Sequence, residues 1–308
     1  MRDLEVVHST EQIEGMWAMI TSREEKFSLM QRSWCITISP DKEPVEFDEG
    51  GRFTWLFPVL PAKRCAFDDS LFTRVCLDAA SLLFPENTND SSLLRHQLLE
   101  DLSILSLRLQ IKDRELYRHS LRVLDLTHRF LKTLFIPREV AILIEVAAFF
   151  HDAGKIDIAH DILQKSSPLT PGEFEEVKKH TTYGERRLAQ IQSLLEVSRL
   201  VYHHHERWDG RGYPDGLQGQ KIPLGSRIIT IADSFTVMLA GRAYQPPCSL
   251  AHALAELSRC SGTQFDPLLV DHFCHNLGTN LLQEEPVYPG RATAVTPPGP
   301  SCINAQRH

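Results

Sequence analysis

The stretch His203-His204-His205-Glu206-Arg207-Trp208-Asp209-Gly210-Arg211-Gly212-Tyr213-Pro214 decides how the rest of this chain is read. Three consecutive histidines at the end of a helical pattern offer ring nitrogens from one short backbone segment. Gly210 and Gly212, followed by Pro214, dictate a tight irregular loop. Clustered histidines alone can be accidental, but packing does not easily explain their combination with this loop. The segment lies in a region, from about Lys112 to Leu277, that reads as helices joined by loops with almost no alternating pattern. The expected fold is mainly α.

Working outward, chemistry-bearing residues recur at several helix ends. Glu115 and His119 are four apart, hence on one helix face. Taken alone, they read best as a surface pair. His151-Asp152-Ala153-Gly154-Lys155 directly follows the apolar run from Ala141 to Phe150, so a carboxylate sits where a buried helix ends. Burial there is costly unless the carboxylate is paired or coordinates a metal. An isolated dipeptide of this kind would still be read as a helix cap. Thr170-Pro171-Gly172-Glu173 is a capping box with proline at the first helical position, and the helix it starts is expected to carry His180. Pro223 opens a further helix with Asp233 inside its apolar face, among Ile229, Ala232 and Val237. The most economical partner for that carboxylate is a metal already held by histidines.

Each piece has a bland reading, but the ordered set resembles a known family. His119, His151-Asp152 with Gly154-Lys155, His180 and Asp233 resemble the ligand series of the HD phosphohydrolase superfamily. His204-His205-Glu206, Asp209-Gly210 and Gly212-Tyr213-Pro214 are similar to the signature of its HD-GYP subfamily. Ile222-Pro223 with Arg227-Ile228-Ile229, and Gly262-Thr263-Gln264-Phe265-Asp266-Pro267, match further blocks of that family. The resemblance covers roughly half the chain, about Asp113 to Leu277.

The resemblance implies an all-helical phosphodiesterase that cleaves cyclic di-GMP to linear pGpG or GMP. Carried over, His119, His151, Asp152 and Asp233 hold one metal, and Asp152 bridges to a second held by His180, His204 and His205. Glu115 occupies the position that recruits a third ion in some members. His203 is not counted as a ligand. An all-nitrogen-and-oxygen ligand set suits iron or manganese, with zinc as the alternative. A hydroxide bridging two metals roughly 3.5–4 Å apart would attack phosphorus in line. Lys155 would stabilise the phosphoryl charge, Arg242 would hold the nucleotide, and Tyr213 would shape the rim. Two departures, Thr236 where the family has aspartate and Gln245 where it has a basic residue, bear on nucleotide choice. The second-ranked reading is therefore a cyclic-dinucleotide receptor or adaptor docking diguanylate cyclases through the glycine loop. A general mononucleotidase ranks third, since such enzymes lack that loop.

The remaining sequence sets the frame. Residues 1–88 read as a small α+β module of sensory or docking role, with strands over 34–39 and 52–60 and a helix from Phe72 to Leu83. Residues 89–112 form a connecting helix whose stripe Leu94, Leu98, Leu102, Leu105 and Leu109 packs on its own chain or makes a homodimer seam. Residues 113–280 are the metal-site domain, and 281–308 a proline-rich tail expected to be disordered. Acidic residues outnumber basic ones, 40 against 33, which argues against a duplex nucleic acid partner. No apolar run spans a bilayer, and the start lacks the pattern of a signal peptide, so a cytoplasmic location and no membrane are expected. Seven cysteines without a CxxC spacing argue against a disulfide framework.

Overall fold

The computed structural model describes residues 35–36, 47–48, 69–85, 91–165, 167–241 and 247–278. The chain divides into two compact units, Met1–Asp69 and Ser70–His308. In the first, β1 (Cys35–Ile36) pairs antiparallel with β2 (Phe47–Asp48), Cys35 opposite Asp48 and Ile36 opposite Phe47. The strand expected over 52–60 and the tail over 281–308 lie outside the described residues.

The second unit is helical. α1 (Asp69–Leu83) enters it by burying Phe72, whose ring stacks on Phe149 at 3.9 Å and meets Phe150 edge-on at 5.8 Å. α2 (Ser91–Lys112) follows, and then α3 (Arg114–Leu131), started by Asp113. The Asp113 carboxylate accepts from the backbone N–H groups of Glu115 and Leu116, at 2.7 and 3.2 Å. α4 (Arg138–Phe150) packs against α3 and is buried along nearly its whole second half, which is why it reads as an apolar run interrupted only by Glu145. Its one buried carboxylate, Glu145, lies 2.6 Å from Nδ1 of His128 on α3. No described helix is long and apolar enough to cross a membrane.

The leucine stripe of α2 faces the chain's own core. Leu98, Leu102, Leu105 and Leu109 are buried within the single chain, whereas Leu93, Leu94 and Ile111 are exposed. Of the two uses expected for the stripe, self-packing takes Leu98 and Leu102, so they are not free to form a dimer seam. Leu102→Ala should therefore cost about 2–5 kcal/mol of stability through the cavity it leaves. Chemical denaturation would measure this, and an unchanged midpoint would contradict the packing.

Beyond α4 the chain makes a 3-10 turn (Ala153–Asp157) and α5 (His160–Leu163). The capping box then forms as its residues predict: Thr170 N–H donates to Glu173 at 2.7 Å, and Glu173 N–H donates to Thr170 Oγ1 at 3.3 Å. It starts α6 (Pro171–Lys178), but His180 does not lie on that helix. The Lys179 N–H reaches back to Glu176 O as well as Val177 O, tightening the last turn, and His180 opens the next helix, α7 (His180–Ala189). α8 (Leu195–Tyr202), α9 (Leu224–Ala240), α10 (Leu250–Arg259) and α11 (Pro267–His272) complete the unit, with a π-helical segment Phe273–Gly278 after them. Cys76, Cys260 and Cys274 are free thiols.

Candidate metal centre

Four segments bring their chemistry to one place: the middle of α3, the α4 end, the start of α7 and the α8 end, with Asp233 from α9. His119 Nε2 lies 2.9 Å from Asp233 Oδ1. His151 Nε2 lies 3.2 Å from Asp152 Oδ2 and 3.9 Å from Asp233 Oδ1. On the other side, His180 Nε2 lies 3.5 Å from Asp152 Oδ1 and 3.4 Å from His204 Nε2. The potential ligand atoms thus form two groups, His119 with His151 and Asp233, and His180 with His204 and His205, each within 4.8 Å. Asp152 stands between them and shows one oxygen to each.

The histidines are oriented by a repeated device. Nδ1–H donates to the carbonyl three residues earlier in each of three cases: His151 to Ala148 at 2.8 Å, His180 to Val177 at 2.6 Å and His204 to Val201 at 2.6 Å. Each bond fixes the tautomer and leaves Nε2, with its lone pair, aimed at the cluster. Nε2 of His151 is buried and makes no hydrogen bond of its own. An orphaned buried acceptor is costly, and a cation beside it would remove the cost.

The electrostatics are those of a cation site. Burial depresses His180 to about 4 and His204 to about 3, so both rings are neutral at physiological pH. Burial also lowers His119, against the pull of Asp233. Burial opposes ionisation of Asp152, but Lys155, His151 and His180 more than offset it and hold the carboxyl well below its usual range. Asp233 is likewise held low against its burial, chiefly by His119 and His151. At His151 burial favours the neutral form, yet the neighbouring Asp152 and Asp233 carboxylates outweigh it and shift the ring upward from its ordinary range. Two carboxylates kept ionised and two rings kept neutral give the cluster atoms able to donate to a cation.

Glycines permit the approach. A Cβ on Gly154 would lie 1.9 Å from the His180 carbonyl oxygen and 2.5 Å from the Gly184 nitrogen, so the 3-10 turn can meet α7 only without a side chain. Gly212 is equally confined, with its Cβ position 2.3 Å from Arg207 N and 2.6 Å from His205 O. Tyr213 then stacks on His205, ring centroids 4.9 Å apart, and precedes a cis bond to Pro214.

The later motif blocks hold this loop in place, which their sequence alone did not reveal. Trp208 N–H donates to Gln264 O at 3.1 Å and Asp209 N–H to Thr263 O at 2.8 Å. Arg207 grips the Asp209 carboxylate through two nitrogens, at 3.0 and 2.7 Å. Arg227 pairs with Asp266, and Asp266 also caps α11. Thr230 Oγ1 donates to the His204 carbonyl at 2.6 Å, fastening α9 to the ligand segment. A side-chain hydroxyl on a backbone carbonyl 26 residues away leaves no local sequence signal.

The structure brings His119, His151, Asp152, His180, His204, His205 and Asp233 together, with Lys155 Nζ 2.9 Å from Asp152 Oδ2. Glu115 is elsewhere: it is exposed and ion-paired with Arg118, one turn from His119. Thr236 is fully buried on α9, its hydroxyl without a hydrogen bond, so this departure from the family pattern occupies a core position. Arg242 and Gln245 lie outside the described residues.

The profile of the HD-domain family matches residues 103–269, a span that contains every one of these converging residues. The chain belongs to the HD-domain family. Within that family it carries the HD-GYP pattern, from His204 to Pro214. A cyclic di-GMP phosphodiesterase of Thermotoga maritima is 40% identical to this HD-domain protein over 178 residues, 57% of this chain and 48% of that one. The cyclic di-GMP phosphodiesterase response regulator RpfG of Xanthomonas campestris is 41% identical over 140 residues, 45% of this chain and 37% of that one. The 3'3'-cGAMP-specific phosphodiesterase 2 of Vibrio cholerae is 34% identical over 193 residues, covering 60% and 36%. The chain spans about half or less of the length of these curated relatives.

If the buried acids and imidazoles hold metal, its removal should destabilise the HD domain. An ion at 100 times its dissociation constant stabilises by about 2.7 kcal/mol. Dialysis against a chelator should accordingly lower the thermal midpoint, and adding back manganese should restore it. A midpoint indifferent to both would count against metal at this cluster.

Proposed function

We propose that this HD-domain chain is a metal-dependent phosphodiesterase that hydrolyses cyclic di-GMP to linear pGpG or GMP. The observation that carries the reading is Asp152, whose two oxygens face separate groups of ligand atoms. In this reading His119, His151 and Asp233 hold one divalent ion with Asp152, and His180, His204 and His205 hold the other. Bound there, the ions would supply Lewis-acid polarisation of a phosphoryl oxygen and a water acidic enough to act as nucleophile at neutral pH. Ligands of nitrogen and oxygen without thiolate favour iron or manganese. Glu115 would join as ligand to a third ion only by leaving Arg118.

The chain's own residues do the rest. Lys155 is buried and held by Asp152, so its ammonium is positioned before substrate arrives and can donate to a non-bridging phosphoryl oxygen. Tyr213 fixes the plane of His205 by stacking and forms the rim with the glycine loop. Arg242 is assigned to the nucleotide by the family pattern alone.

Relatives named for 3'3'-cGAMP as well as for cyclic di-GMP make the choice of dinucleotide the open variable. A receptor reading, with slow turnover and a docking role for the glycine loop toward diguanylate cyclases, is favoured by Thr236, which offers no carboxylate where the pattern has one. The test is a chromatographic assay of anaerobically purified, metal-loaded chain against cyclic di-GMP and 3'3'-cGAMP in parallel. Conversion of cyclic di-GMP to pGpG or GMP supports the proposal. Turnover of the mixed dinucleotide alone overturns the substrate assignment, and binding without turnover supports the receptor.

A further inference from the structure

Beside the proposed centre lies a second constellation. α8 ends at His203, whose Nδ1 is buried and makes no hydrogen bond, in a residue only 9% exposed. Two carboxylate oxygens face it, Glu206 Oε1 at 3.8 Å and Asp215 Oδ2 at 3.9 Å, both too far for a hydrogen bond. The three residues present one ligand atom each, all within 4.8 Å of one another.

We propose that His203, Glu206 and Asp215 form a separate divalent-cation site that clamps the glycine loop to the end of α8. An imidazole or carboxylate ligand sits about 2.0–2.2 Å from zinc, so two ligands on one tetrahedral ion stand roughly 3.4 Å apart. The observed separations of 3.8 and 3.9 Å exceed that by a few tenths of an ångström, a distance that a small side-chain movement closes around an ion. Both carboxylates are prepared for the role. Glu206 is buried, and its oxygens accept from the N–H groups of Asp215 at 2.7 Å and Leu217 at 3.0 Å, which fix its orientation and leave a lone pair on Oε1. The Tyr202 hydroxyl donates to Asp215 Oδ1 at 3.2 Å, which leaves Oδ2 for the ion. The Asp215 side chain is 46% exposed, so the site opens to solvent on that side and a water can complete the coordination.

One nitrogen and two carboxylate oxygens suit zinc, manganese or iron. The bound ion would tie residue 203 to residue 215 across the turn that carries Tyr213, the residue stacked on His205. Three protein ligands with an open side make an exchangeable site, so loop order would follow metal supply. This site is independent of the phosphodiesterase reading, because none of its residues belongs to either group proposed to hold the catalytic ions.

The test uses the full chain carrying Asp152→Ala, stripped by chelator, with Zn2+ as the probe. Zinc retained after desalting is counted by mass spectrometry in this variant and in Asp152→Ala/Asp215→Asn. Asn keeps the shape of a half-exposed side chain, and Tyr202→Phe serves as a control that removes no ligand. The expected result is one zinc fewer per chain, or at least about tenfold weaker binding in calorimetry, with Asp215→Asn and no change with Tyr202→Phe. Equal zinc count and affinity with and without Asp215→Asn would overturn the proposal and leave a histidine between two carboxylates. The same comparison with His203→Gln checks the nitrogen ligand, and retention of that zinc would also overturn it.

Discussion

Asp152→Ala is expected to lower turnover by more than about 10³-fold, beyond the roughly 10²–10³ that follows loss of a single electrostatic donor. The reason is geometric. Among the described residues, Asp152 is the one carboxylate whose oxygens reach both groups, Oδ2 at 3.2 Å from His151 and Oδ1 at 3.5 Å from His180. Removing it withdraws a ligand from both proposed ions and leaves the Lys155 ammonium buried without its partner. That second effect carries a stability cost, since breaking a buried pair runs to about 3–5 kcal/mol. Asp152→Asn keeps the volume and separates the two effects. Circular dichroism should show an intact helical spectrum for the Asn variant while both metal content and product formation collapse. A variant that keeps full activity would remove the bridging assignment.

Gly154→Ala is expected to damage the centre without touching a ligand. The added methyl would sit 1.9 Å from the His180 carbonyl oxygen, against backbone on two sides, where no flexible side chain can yield. The 3-10 turn must then move away from α7, separating Asp152 from His180. The stability loss should lie at the upper end of the roughly 1–3 kcal/mol typical of overpacking, or beyond it. The distinguishing readout is metal content, which should fall more steeply in this variant than in Leu102→Ala, a core change remote from the ligands. Equal metal content in the two would mean that the close approach is not what positions Asp152.

Most of the candidate ligand set was legible because residue type and order single it out. His151-Asp152, His180 and His204-His205 are unusual residues at helix ends, His119 and Asp233 lie within helices, and the structure brings all of them together. Glu115 was equally prominent in the sequence, yet its long side chain lies exposed with Arg118. Helix spacing fixes which face a residue occupies but not where a four-atom exposed side chain turns. The break at Lys179 was illegible for a related reason, since no glycine or proline marks it and the turn is tightened only by backbone hydrogen bonds. The leucine stripe of α2 reads identically whether it meets its own chain or another, and only the tertiary arrangement buries Leu98 and Leu102 internally. The supports of the loop, Thr230 on the His204 carbonyl and Gln264 on Trp208, are long-range contacts to backbone groups that every residue possesses. Sequence pattern therefore carries the candidate ligands well and the groups that hold them poorly.

The most direct test of the account is anomalous diffraction from crystals of the full chain loaded with manganese or iron. The account predicts two peaks that share the Asp152 carboxylate, one beside His119, His151 and Asp233, the other beside His180, His204 and His205. A single peak, or peaks of which none touches Asp152, would contradict it.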